Sequence, residues 1–126
     1  MKFHDFHLDG YEVSRKGEAI VLHLIWDYPG ADKDESHIAF TGVILYNFTH
    51  TAGATITDIE ERPIVELVQE FGEQIAERSR ANGVELWQDT LENYITALQA
   101  GGFRAWQIGS AIGFCGFVIA KTIGDA

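Results

Sequence analysis

The chain is short of cysteine, positive charge and long apolar runs, and each shortage excludes a class of protein. Its single cysteine, Cys115, leaves no internal disulfide to form, which suits a reducing compartment. The opening Met1-Lys2-Phe3-His4-Asp5 has no apolar signal core, so a secretory leader is not expected. The longest apolar run, Ala105 to Ala120, is broken by Gln107, Ser110 and glycines, and it falls short of the roughly 20 residues a bilayer demands. A cytoplasmic location is the expectation. Nine basic residues stand against 19 acidic ones, a formal charge of −10. Such a surface repels phosphate backbones and anionic membranes unless it carries a basic stripe, and Arg15-Lys16 and Arg78/Arg80 are isolated pairs. Neither a nucleic-acid nor a membrane partner is expected. The same charge favours salt-sensitive association with a basic protein, besides promoting solubility.

What is present suffices to fold. With 126 residues, 46% of them hydrophobic and 12% aromatic, residues 1–126 can bury roughly two thirds of the unfolded surface as one domain. No repeat, low-complexity segment or linker divides them. Residues 3–13 alternate as a half-buried first strand, and Arg15-Lys16-Gly17-Glu18 is a polar turn. Ala19 to Trp26 is apolar on both faces, with Ile20, Leu22, Leu24 and Trp26 on one and Val21, His23 and Ile25 on the other, the pattern of a central strand. An acidic loop from Asp27 to Glu35 turns at Pro29-Gly30. Strand character resumes from Ile38 to Thr49, where Gly42 interrupts the row Phe40, Ile44, Tyr46, Phe48, and a short strand is expected at Ala54–Ile59.

At Pro63 the apolar period changes from two to about 3.6. Ile64, Leu67, Val68, Phe71 and Ile75 form one stripe of a helix that Pro63 opens and Asn82-Gly83 stops. Covering those side chains contributes on the order of 10 kcal/mol gross, before entropy is subtracted. A second helix is expected from Asp89 to Ala100, with Asp89 and Glu92 at capping-box spacing, Leu91, Ile95 and Leu98 on one face and Gly101-Gly102 at its end. The tail returns to strand at Phe103–Ile108 and Ile112–Ile123, joined through Gly109 to Gly113.

The candidate chemistry lies in three places. Asp5, His7 and Asp9 share one side of the first strand about 7 Å apart, so they can hold a metal or tune a base only with another group, such as His37 or His50, from a neighbouring strand. Otherwise they are the wet side of a sheet. His4 and His23 read as hydrogen-bonded, semi-buried histidines. Cys115, within Phe114-Cys115-Gly116-Phe117, reads as a buried inert thiol rather than a nucleophile. The third place is acidic. Glu66, Glu70, Glu73 and Glu77 recur at helical spacing along one ridge, where like charges cost a few tenths of a kcal/mol per pair, and only Gln74 to Arg78 offers a compensating pair nearby. The ridge is either a solvated helix face or a surface for a basic partner. The loop residues Asp27, Tyr28, Asp32 and Asp34 extend the second possibility, with Trp26 or Tyr28 as an aromatic anchor.

Phe3-His4-Asp5, Phe40-Thr41-Gly42-Val43 and Ser110-Ala111-Ile112-Gly113-Phe114-Cys115-Gly116, leading to Ala120-Lys121, resemble small uncharacterised bacterial proteins, some grouped with the immunity proteins of polymorphic toxin systems. The resemblance implies a non-enzymatic role, binding and blocking a toxin domain encoded nearby, and it assigns no catalytic residue.

The fold expected is α+β, a mainly antiparallel sheet of about six strands packed against one long and one shorter helix. The function expected is a non-catalytic protein-binding domain that needs no cofactor. Two alternatives remain open. One is a small metal-dependent or cysteine/histidine hydrolase using Asp5, His7 and either His37 or His50. The other is a homo-oligomer, a homodimer in its simplest form, pairing through the apolar C-terminal strand.

Overall fold

The structure is a computed structural model that describes residues 1–81 and 90–126, with the side chains at 50–52, 75–76, 78–81 and 111–112 excepted. It is an α+β fold with a mostly antiparallel sheet and two helices. In chain order the elements are β1 (His7–Ser14), β2 (Ala19–Trp26), β3 (Asp34–Thr41), β4 (Leu45–Arg62), α1 (Ile64–Ala81), α2 (Leu91–Ala100), β5 (Arg104–Ala120) and β6 (Thr122–Asp125). The strands lie in the order β5-β4-β1-β2-β3-β6.

The first three strands form a meander. A turn at Arg15–Gly17 joins β1 to β2, and Arg15, Lys16 and Gly17 all take positive φ there. In β2 the side chains alternate as their hydropathy demands: Ile20, Leu22 and Leu24 are buried, while Val21, His23 and Ile25 are half-buried on the opposite face. β3 runs back along β2 with every residue from Asp34 to Thr41 paired.

The remaining strands depart from the expected spans. The stretch 38–49 is not one strand: β3 ends at Thr41, Gly42 turns with φ +64°, and Ile44 is exposed. The chain then crosses to the other end of the sheet order, because β4 pairs with β5 and not with β3. The expected short strand at 54–59 is the second half of β4, and the two expected C-terminal strands merge into β5 across Gly109–Gly113. Register shifts between His50 and Asp58 take up the irregularity. The opening segment also differs. β1 starts only at His7, with Asp5 in a turn at φ +64°.

Only Lys121 separates β5 from β6, yet these two strands stand at opposite ends of the order. The sheet therefore curls on itself, and one strand closes it by pairing first with β4 and then with β3. Lys121 N donates to Thr41 O at the bend. Inside the curl lie Ile20, Leu22, Leu24, Ile38, Phe40, Ile56, Trp106, Ile108, Phe114 and Val118, and Phe40 meets Trp106 edge-on at 5.7 Å.

A second apolar layer lies on the outside of β5. Ala105, Phe117 and Ile119 receive Ile64, Leu67 and Val68 of α1 and Ile95 and Leu98 of α2, and Phe71 sits 5.0 Å from Phe117. Ile64, Leu67, Val68 and Phe71 of the expected stripe thus cover the sheet, and the Ile75 side chain lies outside the described ones. The α2 cap is Thr90, whose hydroxyl accepts from the Asn93 amide; Asp89, like Asn82-Gly83, lies outside the described residues. Among the described residues, no helix is long and apolar enough to cross a membrane.

Closure leaves no space at two glycines. A Cβ at Gly116 would sit 2.5 Å from Phe48 Cδ1 and 2.7 Å from the Asn47 carbonyl oxygen. At Gly42 it would sit 2.9 Å from Lys121 Cβ, on a backbone that disfavours any side chain. Gly116→Ala and Gly42→Ala should each lower unfolding free energy by about 1–3 kcal/mol in urea titrations. Gly124→Ala, which meets nothing within 4 Å, is the neutral control.

Candidate functional site

The acidic ridge of α1 is presented as its spacing requires. Leu67, Val68 and Ile64 are buried beneath the helix, which turns Glu66, Glu70, Glu73 and Glu77 to solvent. Its compensation is not the expected one. Arg62, at the end of β4, donates to Glu70 at 2.6 Å and lies 4.0 Å from Glu66, while also donating to Gln107. Gln74 instead faces Asn47 at 3.5 Å, and the Arg78 side chain lies outside the described ones. Arg62 relieves the N-terminal half of the ridge, whereas Glu73 and Glu77 lie one and two turns beyond it.

The β2–β3 loop is a separate structure with its own countercharges. Lys2 donates to Asp34 at 3.0 Å, and Lys33 lies 3.9 Å from Asp27. The Lys2 ammonium, followed by the Glu35 amide, holds the Asp34 carboxyl below its ordinary range. Asp32 is exposed. Tyr28 is not a free aromatic anchor: its hydroxyl donates to Asp5 O at 2.5 Å, and its ring packs 4.6 Å from Trp26 and 4.8 Å from His7. It fastens the N-terminal segment to the loop. α1 packs on α2 and β5, so the helix ridge and this loop are carried by different parts of the fold.

Asp5, His7 and Asp9 are not brought together. Asp5 belongs to the turn before β1, where His4 Nε2 lies 3.5 Å from its carboxylate. His7 faces Tyr28 and lies 3.4 Å from Thr55 Oγ1. A register shift between Leu8 and Gly10 breaks the alternation that would have aligned Asp9 with His7. His37 reaches His23 rather than His7, and the His50 side chain lies outside the described ones. Among the described residues, no group of three or more His, Cys, Asp or Glu side chains is placed to hold a metal ion.

Cys115 is exposed, contrary to its apolar neighbourhood in sequence. It shares the outer side of β5 with Phe117 and Ile119, and the helical cover ends before reaching it. Phe117, Val118, Ile119 and Ala120, by contrast, are buried within the chain itself.

A polar row crosses the outer face of β1, β2 and β3. His23 and His37 are directly opposed, with Nδ1 atoms 2.8 Å apart and rings at 73°. Glu12 Oε2 lies 3.0 Å from His23 Nε2, and Glu35 Oε2 lies 3.6 Å from His37 Nε2. His23 is thus the semi-buried, hydrogen-bonded residue expected, although its partners come from two other strands.

A further charged pair fastens the ends of β4 and β5. Arg104 binds Glu61 through both Nε and Nη2 and lies 5.1 Å from the Trp106 ring centre. That guanidinium holds the Glu61 carboxyl below its ordinary range. A carboxyl depressed by folding stabilises the native state above its unfolded pKa, and the contribution disappears as pH falls through the folded one. Arg104→Ala should therefore reduce stability at neutral pH and flatten its decline across the acid range, as read from urea midpoints against pH.

No protein-family model, no curated protein and no solved structure matches the chain.

Proposed function

We propose that this protein is a non-catalytic binding domain whose acidic helix face meets a basic protein partner. The observation that carries the reading is the α1 ridge: Glu66, Glu70, Glu73 and Glu77 are all exposed on a helix whose opposite side is buried in the core. A helix so held has its backbone already fixed, so binding orders only the glutamate side chains. Arg62 offsets the end nearest β4, and the charge beyond it is what a basic surface would complement. The formal charge of −10 adds long-range attraction that salt screens. In the form implied by the resemblance to immunity proteins, the partner is a toxin domain encoded nearby.

The test is binding to the product of the adjacent reading frame. Wild type should bind with an affinity that falls as salt rises, and Glu73→Lys with Glu77→Lys should weaken it at least about tenfold, with slower association. Glu66→Lys should cost less, because Arg62 already lies beside Glu66. Binding that ignores both salt and the double reversal would overturn the proposal.

A further inference from the structure

For most of its length β1 is held in the sheet from one side. Toward β4 it makes a single strand pair, His7 with Thr55, beside the backbone hydrogen bonds that Ile56 exchanges with Asp5 and Phe6. From Gly10 to Ser14 it pairs with β2, and among the described residues no strand lies against its opposite edge. Glu12, Val13 and Ser14 are exposed in succession there, although Val13 shares the side of the strand from which Tyr11 packs on the core. The charges along this edge are sorted by sign. Asp9 and Glu12 precede Arg15 and Lys16, which stand at the turn, and all four are exposed. Lys2, Lys33, Arg62 and Arg104 each sit beside a carboxylate, whereas Arg15 and Lys16 meet none among the described residues.

We propose that this edge pairs with a second copy of the chain, β1 against β1 in antiparallel order across a two-fold axis. An unpaired strand edge is a template for another strand, and one that is acidic at its start and basic at its end complements itself when reversed. An axis normal to the sheet opposes residues that share a face. Centred on Glu12, it sets two like charges against each other, which disfavours that register. Centred on Val13, it covers the exposed valine with its counterpart and sets Glu12 opposite Ser14 of the copy. Lys16 of the copy then lies beside Asp9 and Glu12, within the reach of diagonal neighbours on paired strands. The formal charge of −10 repels a second copy at long range, but that field decays over about 8 Å at physiological ionic strength, while the opposite charges of the paired edges meet at contact. No residue of α1 takes part.

The test is sedimentation velocity of the whole chain at rising concentration and physiological salt, with amide hydrogen exchange at both ends of the range. Wild type should dimerise reversibly, and exchange between Gly10 and Ser14 should slow as the dimer forms. Asp9→Lys with Glu12→Lys should weaken dimerisation at least about tenfold, and so should Arg15→Glu with Lys16→Glu, because each leaves the edge with one sign of charge. Mixed together, the two double variants should form a heterodimer at least as stable as the wild-type dimer, and circular dichroism confirms that each is folded alone. A wild type that stays monomeric at every concentration overturns the proposal. So does a dimer indifferent to both reversals, which places the contact elsewhere, for example on β5. Loss of the dimer in both variants without recovery on mixing overturns it equally.

Discussion

The rest of the structure depends on one strand that closes the sheet at both ends. β5 pairs along β4, passes the bend at Lys121, and continues as β6 along β3. The two ends of a curled sheet are thereby joined covalently, and the Lys121 amide fixes the bend by donating to Thr41 O. Gly42 must be glycine on both counts that matter there, a left-handed backbone and a neighbouring Lys121 Cβ. Closure also explains why β5 is so apolar. Its Trp106, Ile108, Phe114 and Val118 fill the curl, while Ala105, Phe117 and Ile119 support the helices. A strand buried on both faces has no amphipathic alternation to display.

This arrangement divides the surface into unlike parts. Helices cover β5, so the exterior there is the acidic side of α1. No described element covers the outer faces of β2 and β3, where His23 and His37 meet. The N-terminal segment ties down a further edge: Asp5 N donates to Ile56 O, Ser36 donates to Lys2 O, and Tyr28 holds Asp5. Much of the polarity that looks chemical in the opening residues is consumed by that attachment. Among the described residues, carboxylates on α1 and an imidazole pair on the β2–β3 hairpin are presented to solvent in ordered rows.

The periodic elements were legible in the sequence because each exposes one face. Ile20, Leu22 and Leu24 announced the buried side of β2, and Ile64, Leu67, Val68 and Phe71 the stripe of α1. The strand boundaries were harder. Gly42 resembles a bulge in a continuing strand, and only the pairing of β4 with β5 shows that the chain has changed sides. Cys115 misled because local hydropathy does not say where a covering helix stops. The compensation by Arg62 was obscured because it acts from a different element, eight residues before Glu70. The histidine pair had a signal. Reflecting the chain about Gly30 in the Pro29-Gly30 turn places Trp26 opposite Asp34, Ile20 opposite Phe40 and His23 opposite His37, which is the observed register. Starting the third strand at Ile38 instead of Asp34 concealed it.

The proposed function is recognition of a basic protein through the outward side of α1. Amide chemical-shift mapping of the labelled chain, with the adjacent reading frame's product added stepwise, tests it most directly. Perturbations are expected to concentrate between Glu66 and Glu77 and to diminish with added salt, with the β2–β3 hairpin unmoved. Perturbations confined to the hairpin or the N-terminal segment, with α1 silent, would contradict it.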